Sequence, residues 1–115
     1  MIDFIKYTFN PLDDADLLPS MTAGFTYTTT DITNGDGTIT RTLSCEDDAI
    51  TNLKNINFSL LDVISIEDLN VSTLTTTYQM FYYCNSLTSL NLSNFNTSKV
   101  TDMGGMFNGC SQQLN

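Results

Sequence analysis

The sequence predicts an α/β repeat fold, a short solenoid of parallel strands and short helices that follows an N-terminal antiparallel β-hairpin serving as its cap. Two observations carry that expectation. Sliding Asn70 onto Asn96 lays the C-terminal half of the chain over itself, and upstream of it a Thr-rich, β-branched stretch brackets the turn-forming run TNGDG. A third observation bounds it: 115 residues suffice for one domain but not for a deep cleft between two.

In chain order, the opening MIDFIKYTFNPLDD lacks the basic and apolar regions of a secretory signal, so the sequence as written carries no export address. NPLDDADLLPS holds both prolines and three acidic residues, and it reads as a loop or an ordered extension. FTYTTTDI and TITRTLSC then flank TNGDG, which predicts a hairpin from Phe25 to Cys45 with Gly35 and Gly37 free to take positive φ. These stretches make up an acidic N-terminal segment, residues 1–52, expected to cap the repeats or dock onto a partner. Residues 53–115 are expected to hold about two repeat units, each as long as the step from Asn70 to Asn96, the last one incomplete.

Within the repeats, Leu53, Ile56 and Phe58 suggest an extra strand leading into the array. Leu61, Ile64, Ile66 and Leu69 then superpose on Leu87, Leu90, Leu92 and Phe95, the L-x-x-L-x-L spacing of a leucine-rich repeat, in which Leu90 and Leu92 would point inward from a short strand. The same shift matches Asn70 with Asn96, Ser72 with Ser98, Thr75 with Thr101, Met80 with Met106, Phe81 with Phe107 and Cys84 with Cys110. Met103, Met106, Phe107 and Cys110 fall at i, i+3, i+4 and i+7, which puts them on one face of a short helix that Thr101 or Asp102 could begin and Gly109 could end. Gly104 and Gly105 weaken that helix and leave a 3₁₀ or irregular turn open. Their shared period marks the Met and Phe positions as core, stacked coil on coil, rather than as a peptide-gripping groove.

Composition narrows the function. The formal net charge is −9, with four basic residues and no histidine, which argues against phosphate backbones and anionic membranes as partners. No apolar run reaches the roughly 18 residues that a membrane span needs. The acidic groups are concentrated early, for beyond Asn70 only Lys99 and Asp102 are charged. Without histidine, neither Ser-His nor Cys-His catalysis nor a histidine zinc site can be built, and Cys45, Cys84 and Cys110 have no C-x-x-C spacing for thiolate zinc.

No metal or cofactor is expected. DITNGDGTIT resembles half of a calcium loop, but with Asp36 and Gly37 at the fifth and sixth positions the first and twelfth fall on Ile32 and Leu43. Asp13, Asp14 and Asp16, and Glu46, Asp47 and Asp48, read as solvated acidic loops. Cys84 and Cys110 occupy one position in successive coils, close enough for a disulfide, although a buried small apolar row is the reading preferred for them. What remains is the polar strand face: Ser65 and Glu67 in one coil and Thr88, Ser89, Asn91 and Ser93 in the next, a ligand-binding surface of hydroxyls and amides.

From Asn94 to Cys110 the chain reads NFNTSKVTDMGGMFNGC, which resembles the BspA-type leucine-rich repeats of bacterial surface proteins, with Asn96 where Asp is usual. The preceding copy departs further, with Leu74 for Val, Thr77 for the first Met and Tyr78 for the small residue after it. The resemblance covers residues from about Leu61 to Cys110. It implies a non-enzymatic recognition module, a surface-exposed protein that binds host protein or glycan. Similar repeats in phage and prophage genes offer an alternative, a virion structural component (a tail or head appendage or decoration protein) docked on neighbouring virion proteins through its N-terminal segment. Self-association through an uncapped C-terminal repeat is a further expectation in either case.

Overall fold

The computed structural model describes residues 1–11, 18–22, 26–46, 51, 53–59 and 61–110. Asp13, Asp14, Asp16, Asp47, Asp48 and Phe25 lie outside them. The described strands are β1 (Ile2–Asn10), β2 (Ser20–Thr22), β3 (Thr28–Thr33), β4 (Ile39–Cys45), β5 (Asn55–Asn57), β6 (Asp62–Leu69) and β7 (Ser89–Leu90). Five form a mixed sheet in the order β3-β4-β1-β6-β7, antiparallel except for the parallel β6–β7 pair, and β2 pairs with β5 in a second, two-stranded sheet.

The centre of the large sheet is β1, a stretch from which sequence inspection drew only the lack of a signal. Ile5, Tyr7 and Phe9 alternate inward from it, and each meets an inward residue on both neighbours. Val63, Phe9 and Ile39 make one row across the sheet, Ile66, Tyr7 and Arg41 the next, and Leu69, Ile5 and Leu43 the third. On β6 the buried residues come every third position, because the β1–β6 register shifts between Lys6 and Tyr7 and again between Thr8 and Phe9. These shifts overturn part of the leucine-repeat spacing: Ile64 is only half-buried while Val63 takes the core position.

An antiparallel hairpin joins β3 to β4, with Asn34 N–H donating to Thr38 O (2.8 Å) and Gly37 at φ 89°. Gly37 alone of the turn's two glycines uses the left-handed region. The Asp36 carboxylate accepts from Thr38 N–H (3.0 Å) and Thr38 Oγ1 (2.6 Å), bonds that hold its pKa below the ordinary range. The hairpin does not pair with β6 directly: β1 lies between β4 and β6, and β3 is the outer strand on that side of the sheet. Its outer strand β3 is exposed at every residue, and Asp31 anchors it inward, opposite Arg41. The buried Arg41 guanidinium donates to both Asp31 oxygens (2.7 and 2.8 Å) and lies 4.9 Å over the Phe9 ring, so a charge inside the sheet is neutralised in place.

The expected α/β solenoid with short helices is not what forms: no α-helix occurs among the described residues. Where helices were expected, residues 77–84 and 103–110 each run as overlapping tight turns. Met80, Tyr82 and Cys84 N–H donate to the carbonyls of Thr77, Gln79 and Phe81, and Met106, Asn108 and Cys110 repeat this on Met103, Gly105 and Phe107. The N–H groups in between point to the next coil: Thr77, Gln79, Phe81 and Tyr83 donate to Asp102, Gly104, Met106 and Asn108 (2.8–2.9 Å). A helix would need all of these donors for itself. Positive φ at Gln79 (52°) and Tyr83 (54°), repeated at Gly105 (63°) and Gly109 (80°), also breaks any α-helical run every fourth residue.

The apolar period therefore serves stacked turns. Phe58, Phe81 and Phe107 stack with centroids 5.4 and 5.6 Å apart and planes 5° and 10° from parallel. Leu53, Ile56, Phe58, Leu74, Met80, Phe81, Cys84, Leu87 and Met106 join the sheet's inward face in one core. The expected inward positions are only partly used. Leu92 is 37% exposed, Met103 51% and Phe107 42%, since they stand at the outer edge of the last described coil.

Candidate binding surfaces

The polar strand face arises where the two coils run parallel. Ser65 pairs with Ser89 and Ile66 with Leu90, while Thr88 and Asn91 N–H donate to Ile64 O (2.9 Å) and Ile66 O (3.0 Å). Two residues of pairing end in a turn because Asn91 closes on itself: its Oδ1 accepts from Ser93 N–H (3.0 Å) and its Nδ2 donates to Glu67 O (3.1 Å). Asn94 adds a bond to Asp68 Oδ1 (2.9 Å). Thr88, Ser89, Asn91 and Ser93 are exposed together on this loop-edged face, which Thr88 and Asn91 tie to β6 through their N–H groups.

Ser65 and Glu67 sit differently. Glu67 Oε1 accepts from both Thr8 Oγ1 (2.6 Å) and Ser65 Oγ, so the carboxylate is drawn toward β1 and away from the exposed loop. Its other oxygen, Oε2, is buried with no hydrogen-bond partner among the described residues. Ser65 and Glu67 therefore brace the face rather than project from it.

A second site was not evident from the sequence. A groove of about 570 Å³ is lined by Ser20, Asn55, Asn57, Ser59, Thr76, Tyr78 and Asp102, residues contributed by β2, β5 and three successive turns. Thr76 and Asp102 are the same repeat position, joined by an isolated parallel bridge, and Thr76 Oγ1 donates to Asp102 O (3.3 Å). Asp102 Oδ1 accepts from Gly104 N–H (2.9 Å), and Thr76 Oγ1 does the equivalent for Tyr78 N–H (3.1 Å). Asn57 is locked as a wall of the groove, donating to Gln79 O (2.9 Å) and accepting from Ser59 N–H (2.7 Å). The one sequence signal for this site is Tyr78, an aromatic residue where the next copy has Gly104.

The thiols lie apart from both surfaces. Cys84 and Cys110 do not pair as a disulfide; Cys84 Sγ faces Phe58 O (3.7 Å) and Cys110 Sγ faces Phe81 O (3.0 Å), each one coil back. Burial pushes the Cys84 thiol up to about 12, far from a nucleophile's range, and raises that of Cys110 as well. Among the described residues no group of three or more metal-ligating side chains converges, and no helix is long and apolar enough to cross a membrane.

The last described coil leaves an edge. Met103, Gly105, Phe107 and Gly109 stand one repeat after the four donors that bond the coils together, yet among the described residues their N–H groups meet no acceptor. Beside them the outer face of Phe107 continues the aromatic stack.

Comparison with family models matches residues 48–115 to a family described as "Mycoplasma protein of unknown function, DUF285". No curated protein and no solved structure matches the chain.

Proposed function

From a chain that belongs to the DUF285 family, we propose a non-enzymatic recognition module, displayed at a cell surface, that binds a protein or glycan partner. The observation that carries this reading is the polar strand face, on which Thr88, Ser89, Asn91 and Ser93 stand exposed, the first three on backbone paired with β6 and Ser93 held by the Asn91 side chain. A preordered array of hydroxyls and an amide binds without paying the entropy of ordering a loop. The likeness of residues 94–110 to BspA-type repeats supports the same class, and the buried, weakly acidic Cys84 thiol supports a non-catalytic one.

Among the described residues the N–H groups of Met103, Gly105, Phe107 and Gly109 meet no acceptor, which supports a second contact with carbonyl groups of a neighbouring protein or of another copy. The strand-face reading is tested in the full chain by replacing Thr88, Asn91 and Ser93 together with alanine. All three side chains are exposed, but Asn91 also closes the turn with two hydrogen bonds, so the variant should lose about 1–3 kcal/mol of stability and its folded state is verified by circular dichroism before binding is read. Binding to host cells or to a protein and glycan array should fall at least tenfold, and unchanged binding by a folded variant would refute the assignment.

A further inference from the structure

The groove between the coils faces solvent with an unusual mixture of groups. Its described residues supply one aromatic ring, one carboxylate and otherwise only hydroxyls and amides, with no basic residue among them. Tyr78 is 54% exposed, yet its ring is not loose: an added Cβ at Gly104 would stand 3.2 Å from its Cδ1, so the ring lies against the Gly104 backbone and turns its other side outward. This arrangement needs both departures between the two copies, an aromatic residue in one coil and glycine at the equivalent place in the next.

Around the ring stand groups with spare capacity. Asp102 uses Oδ1 to hold Gly104 N–H, leaving Oδ2 as an acceptor, while no described residue bonds the side chains of Ser20 or Asn55 or the Ser59 hydroxyl. The locked Asn57 and the Thr76–Asp102 bridge keep the wall rigid.

We propose that this groove is a carbohydrate site, in which the apolar C–H face of a neutral sugar lies on Tyr78 and its hydroxyls bond to Asn55, Ser59, Ser20 and Asp102. Paired amide and carboxylate groups beside an exposed ring suit a polyol, which offers donor and acceptor at every hydroxyl and an apolar face between them. Among the described lining residues there is one carboxylate and neither Lys nor Arg, which disfavours anionic sugars and phosphates. A peptide groove would instead need apolar pockets for side chains, and among the described lining residues Tyr78 is the one large apolar side chain. About 570 Å³ falls within the range of small-ligand sites and admits a mono- or disaccharide.

The test uses the full chain, ¹⁵N-labelled, titrated with maltose, cellobiose, N-acetyllactosamine and chitobiose, and separately with a peptide library. At least one disaccharide should shift the amide resonances of Asn55, Ser59, Tyr78 and Gly104 and show saturation transfer from aromatic protons to sugar C–H groups. Affinity should fall at least tenfold in Tyr78→Ala, persist within about threefold in Tyr78→Phe, and be unaffected by the alanine variant at Thr88, Asn91 and Ser93. Four failures to bind, binding that survives Tyr78→Ala, or peptides shifting the groove amides instead of sugars would each overturn the assignment. None of these results touches the strand-face reading, because cell binding that depends on residues 88–93 is measured independently of Tyr78.

Discussion

Replacing Phe81 by alanine lowers the melting temperature by on the order of 15 °C, followed as the loss of far-ultraviolet circular dichroism on heating. Phe81 is fully buried and is the middle ring of the Phe58–Phe81–Phe107 stack, so the change removes both ring contacts and leaves a cavity between coils. Truncation of a buried Phe costs about 3–5 kcal/mol, a large part of the roughly 5–15 kcal/mol that holds a domain folded. Phe107→Ala is the control. Its ring is 42% exposed and has Phe81 on one side, so the loss is about 1 kcal/mol. Equal losses at the two positions would mean that the rings do not stack in this order.

Gly109→Ala is expected to destabilise the protein by about 2–4 kcal/mol in a urea titration. Two costs add. Gly109 sits at φ 80°, where a side chain costs about 1–2 kcal/mol. Its new Cβ would also stand 2.0 Å from Tyr83 Cδ1 and 3.0 Å from Cγ, so the Tyr83 ring must leave its place. The two costs separate in the double variant Gly109→Ala with Tyr83→Ala, which should recover the steric part relative to Gly109→Ala and keep the backbone part. Gly35→Ala offers the contrast, with nothing within 4 Å and no positive φ, and should change stability by less than about 0.5 kcal/mol.

These two positions also explain what the sequence could and could not convey. The repeat match of Met80, Phe81 and Cys84 with Met106, Phe107 and Cys110 announced which side chains recur, and Phe81 and Phe107 do stack across coils. It did not announce the backbone that presents them. Apolar residues at i, i+3, i+4 and i+7 suit a helix, but they equally suit a run of tight turns, and the choice rests on where every second N–H goes. Gly105 and Gly109 hinted at the answer. Their partners in the preceding copy, Gln79 and Tyr83, adopt the same left-handed backbone without glycine's licence and so concealed it.

Other features were hidden by topology. Ile5, Tyr7 and Phe9 alternate as a strand should, but nothing local says that β1 will lie between β4 and β6. The bulges opposite Lys6, Tyr7, Thr8 and Phe9 turn β6 so that Val63 replaces Ile64 in the core, a consequence of pairing between segments far apart in the chain. Of the polar-face residues, Thr88, Ser89, Asn91 and Ser93 stand exposed together, while Glu67 turns to Thr8, a partner 59 positions away that no repeat spacing reveals. The groove gathers residues from Ser20 to Asp102, and only Tyr78 marked it.

The stacking that presents Tyr78 against Gly104 depends on one device, the one-way row of N–H groups that joins the turn run at residues 77–84 to the one at 103–110. Amide hydrogen exchange resolved by NMR tests it directly. Such a row predicts slow exchange at Thr77, Gln79, Phe81 and Tyr83, whose donors are used between coils, and fast exchange at Met103, Gly105, Phe107 and Gly109, their counterparts one repeat on. Comparable protection of both sets, or continuous protection through residues 77–84 and 103–110 as in two helices, would contradict it.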